Sequence, residues 1–167
     1  MKGFLMPNYA ENLVVITGQK ERVKDLFQKI EEKGLLNTLV PRPFLENDDW
    51  YFKNWGTDRN VRDTDYLYFE YEDGTALINC YFRSAFNVPT NCYKIFLSKN
   101  SDISIEGVGL EVGDNWGVSF FDGNEYEFNI DSIDEYLKSK EGESTPDFIK
   151  DYIHEKIEDY LKYGTRF

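Results

Sequence analysis

Cysteine and histidine, the residues that most often carry metal or nucleophile chemistry, are nearly missing: the chain has two cysteines, Cys80 and Cys92, and one histidine, His154. The cysteines lack metal-ligand spacing, and a single histidine cannot complete the usual zinc set. The opening run from Met1 to Pro7 has one charge and then too few apolar residues for a secretory signal. A structural disulfide is therefore not expected, and both cysteines read as small core residues. Long apolar runs are missing too. Nothing approaches the roughly 20 residues a membrane-spanning helix needs, so the expected location is the cytoplasm. No glycine-rich phosphate loop is present. Basic residues are in deficit, 19 against 31 acids, for a net charge of −12. Such a surface repels phosphates, which disfavours nucleic acid and anionic membranes as partners. It favours a basic protein surface, including one built to hold nucleic acid.

What the chain does have is enough length and aromatic content for one domain with a sizeable core: 167 residues, 17% of them aromatic. Residues 12–17 are β-branched and closed by Gly18, the pattern of a buried strand. Val23, Leu26, Phe27 and Ile30 form the apolar stripe of a helix that Gly34 should stop. Residues 41–61 show no clean period and read as an aromatic-rich loop lying on the core. Strands at 66–71 and 76–82 flank Asp73-Gly74, a two-residue hairpin signal. Pro89 opens a short helix with Val88, Cys92, Ile95 and Phe96 as its stripe. Further strands are expected at 103–108, 110–112, 117–121 and 125–128, the last two joined at Asp122-Gly123. Asp131 can cap a short helix, residues 139–144 are a polar break, and Thr145-Pro146-Asp147 starts a helix reaching about Tyr163.

The order βαββαβ predicts an α+β fold, a ferredoxin-like sandwich with both helices on one face of an antiparallel sheet. An extra β-hairpin and two C-terminal helices extend it. We read residues 1–167 as a single domain, with 6–128 as the core and extra strands and 131–163 as the terminal helices.

Several motifs then point to a family. Met6-Pro7-Asn8-Tyr9-Ala10-Glu11-Asn12, running into the first strand, resembles the M-P-N-W-C-E-N opening of the YubB-type ferredoxin-like family of phages and conjugative plasmids. Asn54-Trp55-Gly56-Thr57-Asp58 resembles its N-W-G-T-K motif, and Ser84-Ala85-Phe86-Asn87-Val88-Pro89 its T-A-W-S-P-P. Glu111 to Gly117 is similar to its late glycine-containing hairpin. Tyr9, Ala10, Asp58 and Asn60 depart from the pattern, so the family's cysteine is dispensable here. The resemblance implies a fold and a mobile-element setting, with roles in replication, transfer or defeating host defences. It implies no established enzymatic activity.

Candidate chemistry is thin. His154 has no partner in the sequence to make it a general acid or base, and it reads as a surface residue. Asp48, Asp49, Asp58, Asp63 and Asp65 could gather a magnesium ion, yet without a phosphate loop they read better as solvated loop acids. Trp55, Gly56 and Thr57, with Phe86 and Pro89, could line a small-ligand pocket, but Trp55 reads better as a buried loop anchor, because the loop has other aromatics needing burial. The last helix sets Ile149, Tyr152, Ile153, Ile157, Tyr160 and Leu161 on an inner stripe, beside Asp147, Asp151, Glu155, Glu158 and Asp159. Carboxylates four residues apart repeat every 6 Å or so, from the helical rise of about 1.5 Å per residue, close to the phosphate spacing of a nucleic-acid strand. The face could mimic nucleic acid, or be a solvated surface relieved by Lys150, Lys156 and Lys162.

The expectation is a non-catalytic phage or mobile-element accessory protein. It would bind and inhibit a host protein, such as a CRISPR effector or another nucleic-acid-handling defence component. Contacts would come from the acids of the last helix together with Asp48, Asp49 and Asp58, with no cofactor or metal. The alternative is an enzyme or small-ligand binder using the Trp55/Phe86 region.

Overall fold

The computed structural model describes residues 8–44, 48–57 and 60–163. The chain runs β1 (Tyr9–Gln19), α1 (Lys20–Lys33), α2 (Leu35–Leu39), α3 (Asp48–Asn54), β2 (Arg62–Glu70) and β3 (Thr75–Ala85). It continues through α4 (Thr90–Leu97), β4 (Ile103–Glu111), β5 (Trp116–Phe121), β6 (Asn124–Asn129), α5 (Ile133–Lys138), α6 (Lys140–Ser144) and α7 (Asp147–Tyr163). The strands form one antiparallel sheet in the order β2-β3-β1-β4-β5-β6. The fold is α+β, as the element order implies.

The expected extra hairpin is present as β5 and β6, but it continues the same sheet beyond β4, so the six-strand order is not that of a ferredoxin-like sandwich. A second feature of the expected sandwich needs correction. Helices also cover both faces, not one. The reason lies in β1, whose apolar residues Leu13 to Ile16 run consecutively, and in β4, whose apolar residues change face between Ile105 and Val108. Successive strand side chains point to opposite faces. Val14 and Ile16 join α1 and α4 in one core, with Val23, Leu26, Cys92 and Phe96. Leu13 and Val15 enter a second core with Val108, Leu110, Ile149 and Ile153. Exposing either face would leave large apolar surface in water, at about 25 cal/mol per Å².

Local departures have local causes. Gly34 ends α1 but passes straight into α2, whose Leu35, Leu36 and Leu39 are buried. The expected loop at 41–61 contains α3, and its Trp50 and Tyr51 pack on the first core. Residues 103–111 are one strand, not two. In α4 it is Tyr93, not Ile95, that is fully buried, so the helix is rolled slightly from the expected stripe. Ser132, not Asp131, stands at the N-cap of α5, and the polar break at 139–144 holds α6. Thr145 donates from Oγ1 to the Glu141 carbonyl at 3.0 Å.

The two Asp-Gly turns also differ. At β5–β6, Asp122 and Gly123 both take positive φ, 50° and 74°, and Phe121 pairs with Asn124, a tight two-residue hairpin. At β2–β3 only Gly74 does so; Asp73 accepts from the Thr75 backbone N–H at 2.9 Å and closes a longer loop.

Gly109 of β4 lies where the chain before α4 crosses the sheet. A Cβ there would sit 2.0 Å from Val88 Cγ2 and 2.6 Å from Asn12 Oδ1. Asn12 cannot yield, because its Nδ2 donates to the Ala10 carbonyl and to Ser84 Oγ, both at 2.9 Å. Gly109→Ala should therefore cost about 1–3 kcal/mol or more in urea denaturation, the usual range for overpacking. Unchanged stability would show that this crossing is looser than described.

Candidate functional site

The C-terminal helix α7 docks because Ile149, Tyr152 and Ile153 sit on one face at i, i+3 and i+4, and all three are buried in the second core. Each full burial of this kind stabilises by roughly 1.5–3 kcal/mol. The packing stripe ends before the helix does: Ile157 and Tyr160 are half-buried, and Leu161 is 77% exposed. The expected inner stripe is therefore one turn too long.

Around the rest of α7, Asp147, Asp151, Glu155, Glu158 and Asp159 are all exposed, and so is His154. The lysines interspersed with them do little to neutralise this arc. Lys150 reaches Asp147 at 3.7 Å. Lys156 turns inward, 3.4 Å from Glu11 of β1 and over the Tyr152 ring, while Lys162 lies over Tyr163. Among the described residues, Asp151, Glu155, Glu158 and Asp159 form no ion pair.

The helix covers only part of its sheet face. The strand register sets Asp65, Tyr81, Leu13 and Val108 in one cross-strand row. The next row holds Leu67, Asn79, Val15 and Glu106, and the third Phe69, Leu77, Thr17 and Ser104. α7 lies over the β1 and β4 end of these rows, where Leu13, Val15 and Val108 are buried. At the β2 end Leu67 and Phe69 stay exposed, at 42% and 46%. Between helix and open sheet runs a groove of about 820 Å³. Val15, Leu77 and Tyr81 make its floor; Asp65 and Glu106 stand on the sheet side, and Phe148, Asp151 and Glu155 on the helix side. Among the described residues Lys156 is the one cation of the lining, already engaged by Glu11. Burial, and the nearby Asp122 carboxylate, hold the Glu106 carboxyl above its ordinary range.

The expected site residues thus separate. Asp151 and Glu155 share the groove with Asp65, while Asp147, Glu158 and Asp159 are not among its lining. Asp49 is exposed on α3, whose aromatic residues pack on the other sheet face. Asp63 pairs with Arg83 at 2.5 Å. Asp58 and the side chain of Asp48 lie outside the described residues.

The Trp55 region is a packed junction. The Trp55 ring is 1% exposed, edge-on to Trp50 and Tyr51, and its Nε1 donates to the Val40 carbonyl at 2.8 Å. Thr57 is buried and donates from Oγ1 to the Ala85 carbonyl at 2.8 Å, so the two motif segments do meet. Gly56 turns the chain against Asn91, and Pro89 is buried. Only Phe86 of this group stands in solvent, 42% exposed on a backbone at φ 66°.

Glu106, Leu77, Tyr81 and Phe148 were not singled out from the sequence. The available signal was β2, where Leu67 and Phe69 are apolar on one face while Tyr66 and Tyr68 are apolar on the other. A strand with large apolar residues on both faces needs cover on both sides or a partner.

Chemical options are narrow. Burial pushes both thiols up, away from thiolate reactivity. Among the described residues no group of three or more His, Cys, Asp or Glu could hold a metal ion. No helix there is long and apolar enough to cross a membrane. What the geometry offers is apolar contact flanked by negative charge.

Two outcomes test these assignments. Trp55→Ala should lose roughly 3–5 kcal/mol in chemical denaturation, the usual cost of emptying a buried aromatic site; a near-neutral result would take the ring out of the core. Glu106→Gln should raise the melting temperature at neutral pH. The folded-state value of Glu106 lies above the unfolded one, so its ionised form costs stability above that window. The cost vanishes as pH falls below the ordinary value of 4.5, where the two proteins should converge. A lower melting temperature at neutral pH would contradict the assignment.

No protein-family model, curated protein or solved structure matches the chain.

Proposed function

We propose that this chain is a non-catalytic accessory protein of a phage or other mobile element that binds a host protein through its acidic surface and inhibits it. The partner is a protein with a basic surface, of the kind that handles nucleic acid in host defence, such as a CRISPR effector. One observation carries the reading: Asp151, Glu155, Glu158 and Asp159 stand exposed on α7 with no ion pair among the described residues. Like charges spaced along a helix cost stability, about 0.2–0.5 kcal/mol per i, i+4 pair. A basic groove facing them turns that repulsion into affinity and fast association. The same charge disfavours direct contact with nucleic acid or anionic membrane.

The proposal extends to kinship. Within the six-stranded sheet, β2, β3, β1 and β4 are neighbours and α1 and α4 pack on one face of them. We propose that β1 to β4 are a ferredoxin-like unit, of the YubB type, extended by β5, β6 and the terminal helices. The Thr57–Ala85 hydrogen bond, joining two of the resembling motifs, supports this reading.

The test begins by capturing partners from a bacterial host and measuring their affinity for wild type and for the D151K/E155K/E158K triple variant. Affinity should fall tenfold or more, about 1.4 kcal/mol per decade, and the loss should shrink at high salt. Undiminished binding by a folded triple variant would remove the electrostatic mechanism.

A further inference from the structure

The groove beside α7 differs in kind from the outward acidic arc. It combines an apolar floor with carboxylates on both sides, and it lies on a sheet face whose Leu67, Phe69 and Tyr71 are 42–51% exposed. Large apolar side chains clustered and exposed in this way mark a surface with a partner. We infer that this groove is the docking site for a cationic amphipathic peptide segment of the partner protein. In the bound state its apolar side chains lie on Leu77, Tyr81 and Phe148, and its lysines or arginines reach Asp65, Asp151 and Glu155. The inference rests on the proposal that the partner is a basic protein, and it specifies where and how that protein is read.

Charge complementarity selects this occupant. Asp65 on β2 and Asp151 and Glu155 on α7 face the groove from opposite sides, so a cation between them meets negative charge from both. The only basic group in the lining among the described residues, Lys156, is drawn to Glu11. Glu106 adds a half-buried carboxyl whose ionisation is already disfavoured by burial and by Asp122, and a bound cation would relieve it. A second copy of this chain would bring a net charge of −12 and the same acids to the face. A nucleic-acid strand or an anionic lipid surface would bring phosphates against them. A basic segment with apolar anchors satisfies both features at once, the arrangement by which short peptides are held in grooves.

The test uses the whole chain and two synthetic peptides of equal positive charge, one alternating lysine with leucine and one alternating lysine with serine. Titration followed by backbone-amide NMR should show the leucine peptide binding at least tenfold more tightly, with shifts centred on Thr17, Leu77, Tyr81 and Asp151. Asp65→Lys, an exposed change, and Leu77→Lys, a half-buried one, should each weaken that peptide at least tenfold while the amide spectrum remains that of a folded protein. Equal binding of the two peptides, or shifts confined to the outward face of α7, would overturn the groove assignment. So would self-association of the free protein that D65K abolishes.

The captured partner separates this inference from the broader one. Sensitivity to D65K and L77K supports the groove. Sensitivity to E158K and D159K alone, which lie outside the groove lining, overturns the groove and leaves the acidic-surface reading standing. Insensitivity to all four removes both.

Discussion

The structure depends on one constraint: β1 and β4 are apolar on both faces. A central strand of that kind cannot have water on either side, so the chain must supply two layers of cover. The first comes early, from α1 to α4, over Val14, Ile16 and Ile105. The second comes last, from α7, which seats Ile149 and Ile153 over Leu13 and Val108. The docking of α7 therefore settles both where its acids are displayed and how much of the second face remains open.

That cover is partial by geometry. One helix about 10 Å across spans roughly two strands spaced 4.7–4.9 Å apart, and α7 meets that need over β1 and β4. Tyr81 of β3 still touches the Tyr152 ring, but toward β2 Leu67 and Phe69 stand exposed, with no helix over them among the described residues. Acids border this opening from the sheet at Asp65 and from the helix at Asp151 and Glu155. Apolar floor and negative rim thus follow from one packing decision, the placement of a single amphipathic helix on a sheet wider than itself.

Much of this was legible in the residues. The strand at Leu13 to Ile16, the stripe of α1, the Asp122-Gly123 hairpin and the exposed acids of α7 all follow local rules of period and turn chemistry. What was not legible is long-range. Nothing local tells that β5 and β6 continue the sheet instead of packing elsewhere. Nor does a helix stripe reveal which sheet face it will choose. The site was harder still: Asp151 and Glu155 were recognised as a charge row, but their meeting with Asp65 needs the register of β2 on β3 and the seat of α7 together. Trp55 sits in a motif that reads better as an anchor than as a pocket, and the carbonyl of Val40 and the rings of Trp50 and Tyr51 show it packed.

The central claim, that α7 closes the β1/β4 half of the second sheet face and leaves the β2/β3 half open, is tested most directly by hydroxyl-radical footprinting of the free protein in solution. Leu67, Phe69 and Tyr71 should be oxidised readily, while Leu13, Ile149 and Ile153 stay protected. If Leu67 and Phe69 prove as protected as Ile153, something covers that half-face in the free protein, and the account of an open, acid-rimmed groove is contradicted.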